Sequence, residues 1–269
     1  MVATDKVFAG SIPEIYDRLL VPLIFAPYAA DLADRVARRR PDRVLETAAG
    51  TGVLTRAMAA RFPPAVRIVA TDLNQPMLGQ AAKRQSGGSI EWRQADALAL
   101  PFEDESFNAV ACQFGAMFFP DKVKGYGEAR RVLKGGGSFL FNVWDDIATN
   151  EFTNVVTETV AAMFPQDPPR FFARTPHGYH DAERIREELK AAGFADISIE
   201  AVDHISKAPS PREAAVGLCQ GTPLRNEIEA RDAARLEEAT HRAEEALAKR
   251  FGRGRIQGRI RALVIAAIK

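Results

Sequence analysis

Residues 43–52 read Arg43-Val44-Leu45-Glu46-Thr47-Ala48-Ala49-Gly50-Thr51-Gly52. A short apolar run reaches a turn with two glycines, so 43–48 is expected as a buried strand feeding a tight strand-to-helix turn. Outward from it, Val53–Phe62 is expected as a helix closed by Pro63 and Pro64. Val66–Thr71 reads as a second strand, with Asp72 at its end. Asn74 stands where it could cap the next helix, which runs through Met77 to about Arg84 and is broken by Gly87 and Gly88. Ile90–Gln94 reads as a third strand ending near Asp96, and Phe107–Phe114 as a fourth, whose unbroken apolarity suits a central parallel position. Asp121–Leu133 alternates as a helix that stops at Gly135-Gly136-Gly137, and Ser138–Val143 is a fifth strand. This alternation predicts an α/β fold, a doubly wound sheet with helices on both faces. Right-handed crossovers bring the carboxyl ends of its strands to one edge, where such sheets bind ligands.

The second half changes character. Helices are expected over Thr149–Met163, Asp181–Ala192 (with Gly193 just past its end), Pro211–Leu218 and Leu224 to about Lys249. Phe164–Gly178 is a loop dense in proline and aromatic residues, and strands are expected over Phe194–Ile205 and Arg259–Ile268. The chain reads as a single domain over 1–269: a ligand-binding core at 40–145, cap helices at 149–180 and 207–250, and C-terminal strands at 194–206 and 259–268. With 269 residues, 46% of them hydrophobic, it can bury a core without staples. Lys plus Arg total 36 against 35 for Asp plus Glu, a net charge of +1, which leaves no electrostatic footprint for nucleic acid. Two distant cysteines, Cys112 and Cys219, make no metal-ligand spacing and suit a reducing cytoplasm. No leader pattern is read in Met1–Gly10. No apolar run approaches the ~20 residues of a membrane span, so no membrane partner is expected.

Each candidate ligand group has an ordinary structural explanation when taken alone. A Gly-x-Gly turn can be only a turn, Asp72 can be a helix cap, and Asp96 can be a solvated loop carboxylate. Together they put a glycine turn and two carboxylates on one sheet edge. Asp72 can accept from a ribose diol and Asp96 from an exocyclic amine. Thr55 occupies the position where a dinucleotide fold would need its third glycine, and no phosphate loop occurs. The set suits a nucleoside cofactor without phosphates.

The ordered series ETAAGTG, ATDLN, QADALALPF, FNAVACQF and RVLKGGG over roughly residues 40–145 resembles the class I S-adenosylmethionine (AdoMet)-dependent methyltransferases, in the branch of the ubiquinone/menaquinone C-methyltransferases. The resemblance implies a Rossmann-like seven-stranded, mostly parallel sheet with an antiparallel last strand and a partly helical cap. It implies that Glu46, Thr47, Ala48, Gly50, Thr51 and Gly52 shape the methionyl side of the cofactor pocket. Asp72 would hold the ribose, Leu73 and Met77 would lie near the adenine, Asp96 and Ala97 would bind its edge, and Gln113 would stand close to the reacting methyl. Ala49 departs from the Gly or Cys common in relatives.

The cofactor implied is AdoMet, leaving as S-adenosylhomocysteine (AdoHcy), and the partner is a small-molecule methyl acceptor. Methyl transfer needs a base only if the acceptor arrives protonated. His177, His180 and Tyr16 are the candidates for base, anchor or lid. Tyr28, like Tyr16, precedes the first strand, and His204 and at least half of Phe118, Phe119, Phe171 and Phe172 are expected to be structural. The charged helix 224–250 reads as a solvated face, with a homodimer contact left open. No Asp-Pro-Pro-Tyr-like segment follows the fourth strand, where 112–120 reads CQFGAMFFP, which lowers a nucleic-acid amine as acceptor. A nicotinamide-dependent oxidoreductase and a catalytically silent AdoMet-binding module are the alternatives.

Overall fold

A computed structural model describes residues 5, 7, 8, 10–85 and 90–269. The expected break at Gly87-Gly88 and much of the Met1–Gly10 reading lie outside the described residues. The sheet contains seven strands, β1 (Arg43–Glu46), β2 (Arg67–Asp72), β3 (Ile90–Gln94), β4 (Phe107–Gln113), β5 (Leu133–Trp144), β6 (Asp196–Ala208) and β7 (Ile256–Ile268), in the order β3-β2-β1-β4-β5-β7-β6. β1 pairs in parallel with β2 and β4, β2 with β3, and β4 with β5, while β7 is antiparallel. This is the Rossmann-like order with its reversal between β1 and β4. β1, β2 and β4 are buried almost throughout, as apolar strands covered on both faces must be.

The chain divides into two compact units. One holds residues 27–143, 180–202 and 262–269, and its core gathers Leu32 and Val36 of the helix Ala26–Arg38, Val44, Leu54, Met58, Ile68, Ala109, Ala111, Leu140 and Val264. Truncating one of these large side chains to alanine costs about 2–5 kcal/mol. The other unit holds residues up to 26, 144–179 and 203–261. In it the helices Glu151–Met163, Pro211–Gln220 and Leu236–Phe251 pack together through Phe152, Val156, Ala214, Leu218, Ala239, Ala243 and Leu247, all buried.

The boundaries depart from the sequence reading in five places. Gly135-Gly136-Gly137 does not end the helix outside the sheet; it lies inside β5, which begins at Leu133. Pairing jumps from Phe107↔Leu133 to Ala109↔Ser138 across a bulge, with Gly136 at φ +73°. The long helix 224–249 is two helices, Leu224–Asp232 and Leu236–Phe251, separated where the Asp232 carboxylate caps Ala234 N–H at 3.0 Å. The loop 164–178 carries a helical turn, Phe171–Arg174. Helix runs through 12–38, where none was expected: Pro13 sits in a first turn, and the segment Tyr16–Phe25 is a π-helix that accommodates Pro22. Asn74 stands at an N-cap position, but its side chain turns to Asp72 instead of capping. Gly193 does close the helix Ala182–Ala191, at φ +93° with its N–H on Lys190 O.

Candidate active site

The turn after β1 is held by its neighbours on both sides. Thr47 N–H donates to Ala111 O at 2.9 Å, and Ala49 N–H to Thr71 O at 2.8 Å. Between them Ala48 takes a left-handed backbone, φ +52°, followed by Gly50 at +56° and Gly52 at +78°. Gly52 also needs its missing side chain, because a Cβ there would stand 2.6 Å from the Trp92 ring. Gly50 packs on Met77, whose methyl lies 3.5 Å from where a Cβ would be. Thr51 is buried, and its hydroxyl is one of few buried polar atoms without a hydrogen-bond partner among the described residues.

Asp72 joins the turn to β2. Its Oδ2 accepts from Gly50 N–H at 2.8 Å and its Oδ1 from Asn74 N–H at 2.7 Å, with the Asn74 amide at 3.3 Å. Burial raises its pKa, opposed by those same N–H donors. Glu46, fully enclosed at the end of β1, accepts from the Thr55 hydroxyl at 2.5 Å. Burial pushes this carboxyl up to about 8, with the Thr55 bond and Arg56 pulling the other way. Thr55, noted in sequence only as a missing glycine, is therefore the partner of Glu46.

Beyond β3 the chain stays pinned to the same edge by Ala95 N–H on Asp72 O at 3.1 Å. Asp96 is exposed and accepts from Leu98 N–H at 2.9 Å; Ala97 is half-buried and Leu73 is 46% exposed. Gln113 is buried at the end of β4, opposite Asn142 of β5. The turn 47–52, Asp72 and Met77 are thus in direct contact, Asp96 and Ala97 follow within a few residues of Asp72's backbone partner, and Gln113 ends the strand beside β1.

One participant, Asn142, escaped the sequence reading, and two more, Phe114 and Gly115, stood in it only within the segment CQFGAMFFP after the fourth strand. Asn142 is buried in β5, and its Oδ1 at 2.9 Å and backbone O at 3.1 Å both accept from the N–H of Phe114, which stands at φ +51°. Gly115 follows; a Cβ there would meet Ala48 Cβ at 2.4 Å and Cys112 Sγ at 2.8 Å, so the turns after β1 and β4 are locked together. Phe114 in turn meets Tyr28 edge-on at 5.3 Å, and the Tyr28 hydroxyl donates to Val202 O at 3.0 Å. An asparagine inside the apolar run 138–144 was the only signal.

Of the catalytic candidates, Tyr16 and His177 belong to the other unit and His180 to the sheet unit. Tyr16 stacks on Phe25 at 4.9 Å; Phe25 approaches Trp144 at 5.8 Å, and Trp144 approaches His177 at 6.0 Å. His177 is buried, with Nδ1 2.8 Å from Asp145 O, the residue after the last of β5. A carbonyl can only accept, so Nδ1 is the protonated nitrogen that donates in this contact. His180 is half-buried, and Asp181 caps the following helix. Phe119, Phe171 and Phe172 are buried.

Two carboxylates and an orphaned hydroxyl around a glycine turn suit a cationic nucleoside and not a pyrophosphate. Residues 44–137 match the family model described as a methyltransferase domain. The chain is similar to a demethylmenaquinone methyltransferase of Deinococcus radiodurans, 30% identical over 207 residues that cover 71% of this chain and 85% of that one. It is 31% identical to a ubiquinone/menaquinone biosynthesis C-methyltransferase of Saccharophagus degradans over 170 residues, 58% of this chain and 68% of the relative. Among solved structures, the YcgJ protein of Bacillus subtilis superposes with a TM-score of 0.56 at 20% identity, covering 90% of this chain and 98% of its own. A Haemonchus contortus phosphoethanolamine N-methyltransferase in complex with S-adenosylhomocysteine gives 0.53 at 18%, over 97% and 61%; at such identities both show the fold alone. The chain belongs to the class I AdoMet-dependent methyltransferases, the family of these relatives. It is an enzyme that transfers the methyl group of AdoMet to a small-molecule acceptor, and nothing in the comparisons favours the oxidoreductase or the silent binding module. No helix among the described residues is long and apolar enough to cross a membrane.

Proposed function

We propose that AdoMet lies along the carboxyl edge of β1–β4, with Asp72 on the ribose diol and Asp96 with Ala97 at the adenine edge. Leu73 and Met77 flank the adenine. Glu46, Thr47, Ala48, Gly50, Thr51 and Gly52 enclose the methionyl part, and Gln113 stands nearest the methyl. The observation that carries this reading is the Gly50 N–H to Asp72 bond, which couples the glycine turn to the carboxylate through one atom pair. A carboxylate offers about four acceptor sites. Gly50 N–H and the Asn74 backbone fill two at short range, and the long Asn74 amide contact at 3.3 Å is the one a ribose hydroxyl would replace. Asp72→Asn should weaken AdoHcy binding at least ~10-fold, about 1.4 kcal/mol, in a protein that still unfolds cooperatively. Unchanged affinity by calorimetry removes Asp72 from the ribose.

Bound AdoMet supplies the electrophilic methyl. The protein's share is alignment, worth about 7–11 kcal/mol of barrier when complete. For an acceptor that arrives protonated, we propose His177 or His180 as base or substrate anchor, with Tyr16 as a lid contact. The relatives' names put quinone-type rings first among acceptors to try. We place the reaction in the cytoplasm, where the buried thiols of Cys112 and Cys219, pushed by burial up to about 11 and 12, stay reduced and inert. Nucleic acid and a homodimer partner form no part of this reading.

A further inference from the structure

In the unit that holds residues 203–261, β6 and β7 present one bare face. Burial alternates along 201–208 of β6 and 256–261 of β7. Ser206 and Ala208 of β6 and Ile256, Gly258 and Ile260 of β7 point inward, where Ser206 Oγ donates to Leu23 O at 2.8 Å and a Cβ at Gly258 would touch the Phe152 ring at 2.8 Å. The outward residues are Asp203, Ile205 and Lys207 on β6 and Gln257, Arg259 and Arg261 on β7. Arg261 pairs with Asp203 at 2.8 Å, which fixes the two strands side by side and cancels the only acid of this outward set.

What remains is cationic. Lys207, Arg253, Arg255 and Arg259 are exposed, and none of their side chains makes an ion pair among the described residues. The nearby Glu151 is engaged by Arg250 at 3.0 Å and by the Arg259 N–H at 2.7 Å. In a chain whose net charge is only +1, this is a local concentration. Lys207 and Arg259 share the outward strand face with Ile205, and Arg253 and Arg255 lie in the bend that leads into β7; Ile205 is 50% exposed, one of the few large apolar side chains left in water among the described residues.

We propose that this face docks on an anionic lipid surface, with the arginines over headgroup phosphates and Ile205 entering the interface. Basic residues beside an exposed aliphatic side chain are the composition of a peripheral membrane contact. A nucleic-acid strand would use the cations but gain nothing from the isoleucine, and the face carries no aromatic ring on which a base could stack. Peripheral docking needs no spanning helix, so it replaces the sequence expectation of no membrane partner without touching the reading that no segment spans.

The test is co-sedimentation of the full chain with phosphatidylglycerol vesicles and with phosphatidylcholine vesicles, at low and high salt. The expected result is a preference of at least ~10-fold for the anionic vesicles, lost at high salt. Arg253→Gln, Arg255→Gln and Arg259→Gln combined should lower that binding at least ~10-fold, and Ile205→Ser a few-fold, while both variants bind AdoHcy as the unaltered protein does. Equal binding to both vesicles, or undiminished binding by the triple variant, overturns the proposal. So does vesicle-independent capture of single-stranded RNA that the triple variant loses, which would make the face a nucleic-acid site.

Discussion

Replacing Gly115 by alanine isolates the contact that locks the turns after β1 and β4. Gly115 has φ −100° and ψ −37°, a conformation alanine adopts without strain, so the whole penalty is steric. The new methyl would lie 2.4 Å from Ala48 Cβ and 2.8 Å from Cys112 Sγ, where ordinary contacts are 3.4–4 Å. Neither neighbour can yield cheaply. Ala48 is held at φ +52° by hydrogen bonds from residues on either side, and Cys112 is fully buried within β4. Overpacking of this kind costs about 1–3 kcal/mol. It should appear as a lower urea midpoint with an unchanged slope, together with AdoHcy binding weakened about 10-fold or more as the turn at 48–52 is pushed aside. Gly79→Ala is the matched control. It lies in the helix Gln75–Arg84 with nothing within 4 Å, and it should gain up to about 1 kcal/mol from helix propensity. A Gly115→Ala protein with the original midpoint and AdoHcy affinity would refute the reasoning, because it would mean the two turns are not in contact.

The buried Glu46 carboxyl binds its proton more tightly in the folded protein, to about pH 8 against 4.5 unfolded, so its own contribution to stability is fully present below pH 4.5 and is lost as pH rises through 8. Urea denaturation across this window should show that decline, by up to about 1.4 kcal/mol per pH unit, and Glu46→Gln should abolish it; an identical pH profile in the variant would contradict the burial argument. Asn142→Ala removes the Oδ1 acceptor but leaves the Asn142 backbone O, 3.1 Å from Phe114 N–H, so it should destabilise by about 0.5–1.5 kcal/mol, read from the denaturation midpoint, with no change counting against the clamp. Tyr28→Phe leaves Val202 O without its 3.0 Å donor and should cost about 0.5–1.5 kcal/mol, whereas a neutral result would mean that carbonyl finds another donor.

Much of the sheet was legible from the chain itself. The stretches at 43–48, 66–71, 90–94 and 107–114 became β1 to β4 within two residues at each end; for β1, β2 and β4 burial on both faces demands unbroken apolarity, whereas β3, IEWRQ, is the partly exposed edge strand. The glycine turn and Asp72 were legible as neighbours because both sit at strand ends that parallel topology must bring to one edge. The helices over 12–38 drew no reading from the sequence, although three prolines stand in that stretch. Pro13 in fact opens a helix, and Pro22 lies inside a widened one. The split of the helix 224–249 was hidden because alanine and arginine at 233–235 favour continuation, and only the Asp232 side chain turning onto Ala234 N–H ends it.

By itself the sequence determined the order of strands and helices, the conformations its glycines permit, and the positions of two carboxylates at strand ends. These are set by residues a few positions apart, through periodic burial and backbone sterics. Only the tertiary structure decided that Gly115 presses on Ala48, that Asn142 clamps Phe114, that Asp5 and Glu227 share Arg174, and that Ile205 stands exposed beside Arg259. Such partners lie tens to more than a hundred residues apart. They meet only when the whole sheet and the packed helices have closed, and no local pattern encodes which distant side chain will fill a given gap.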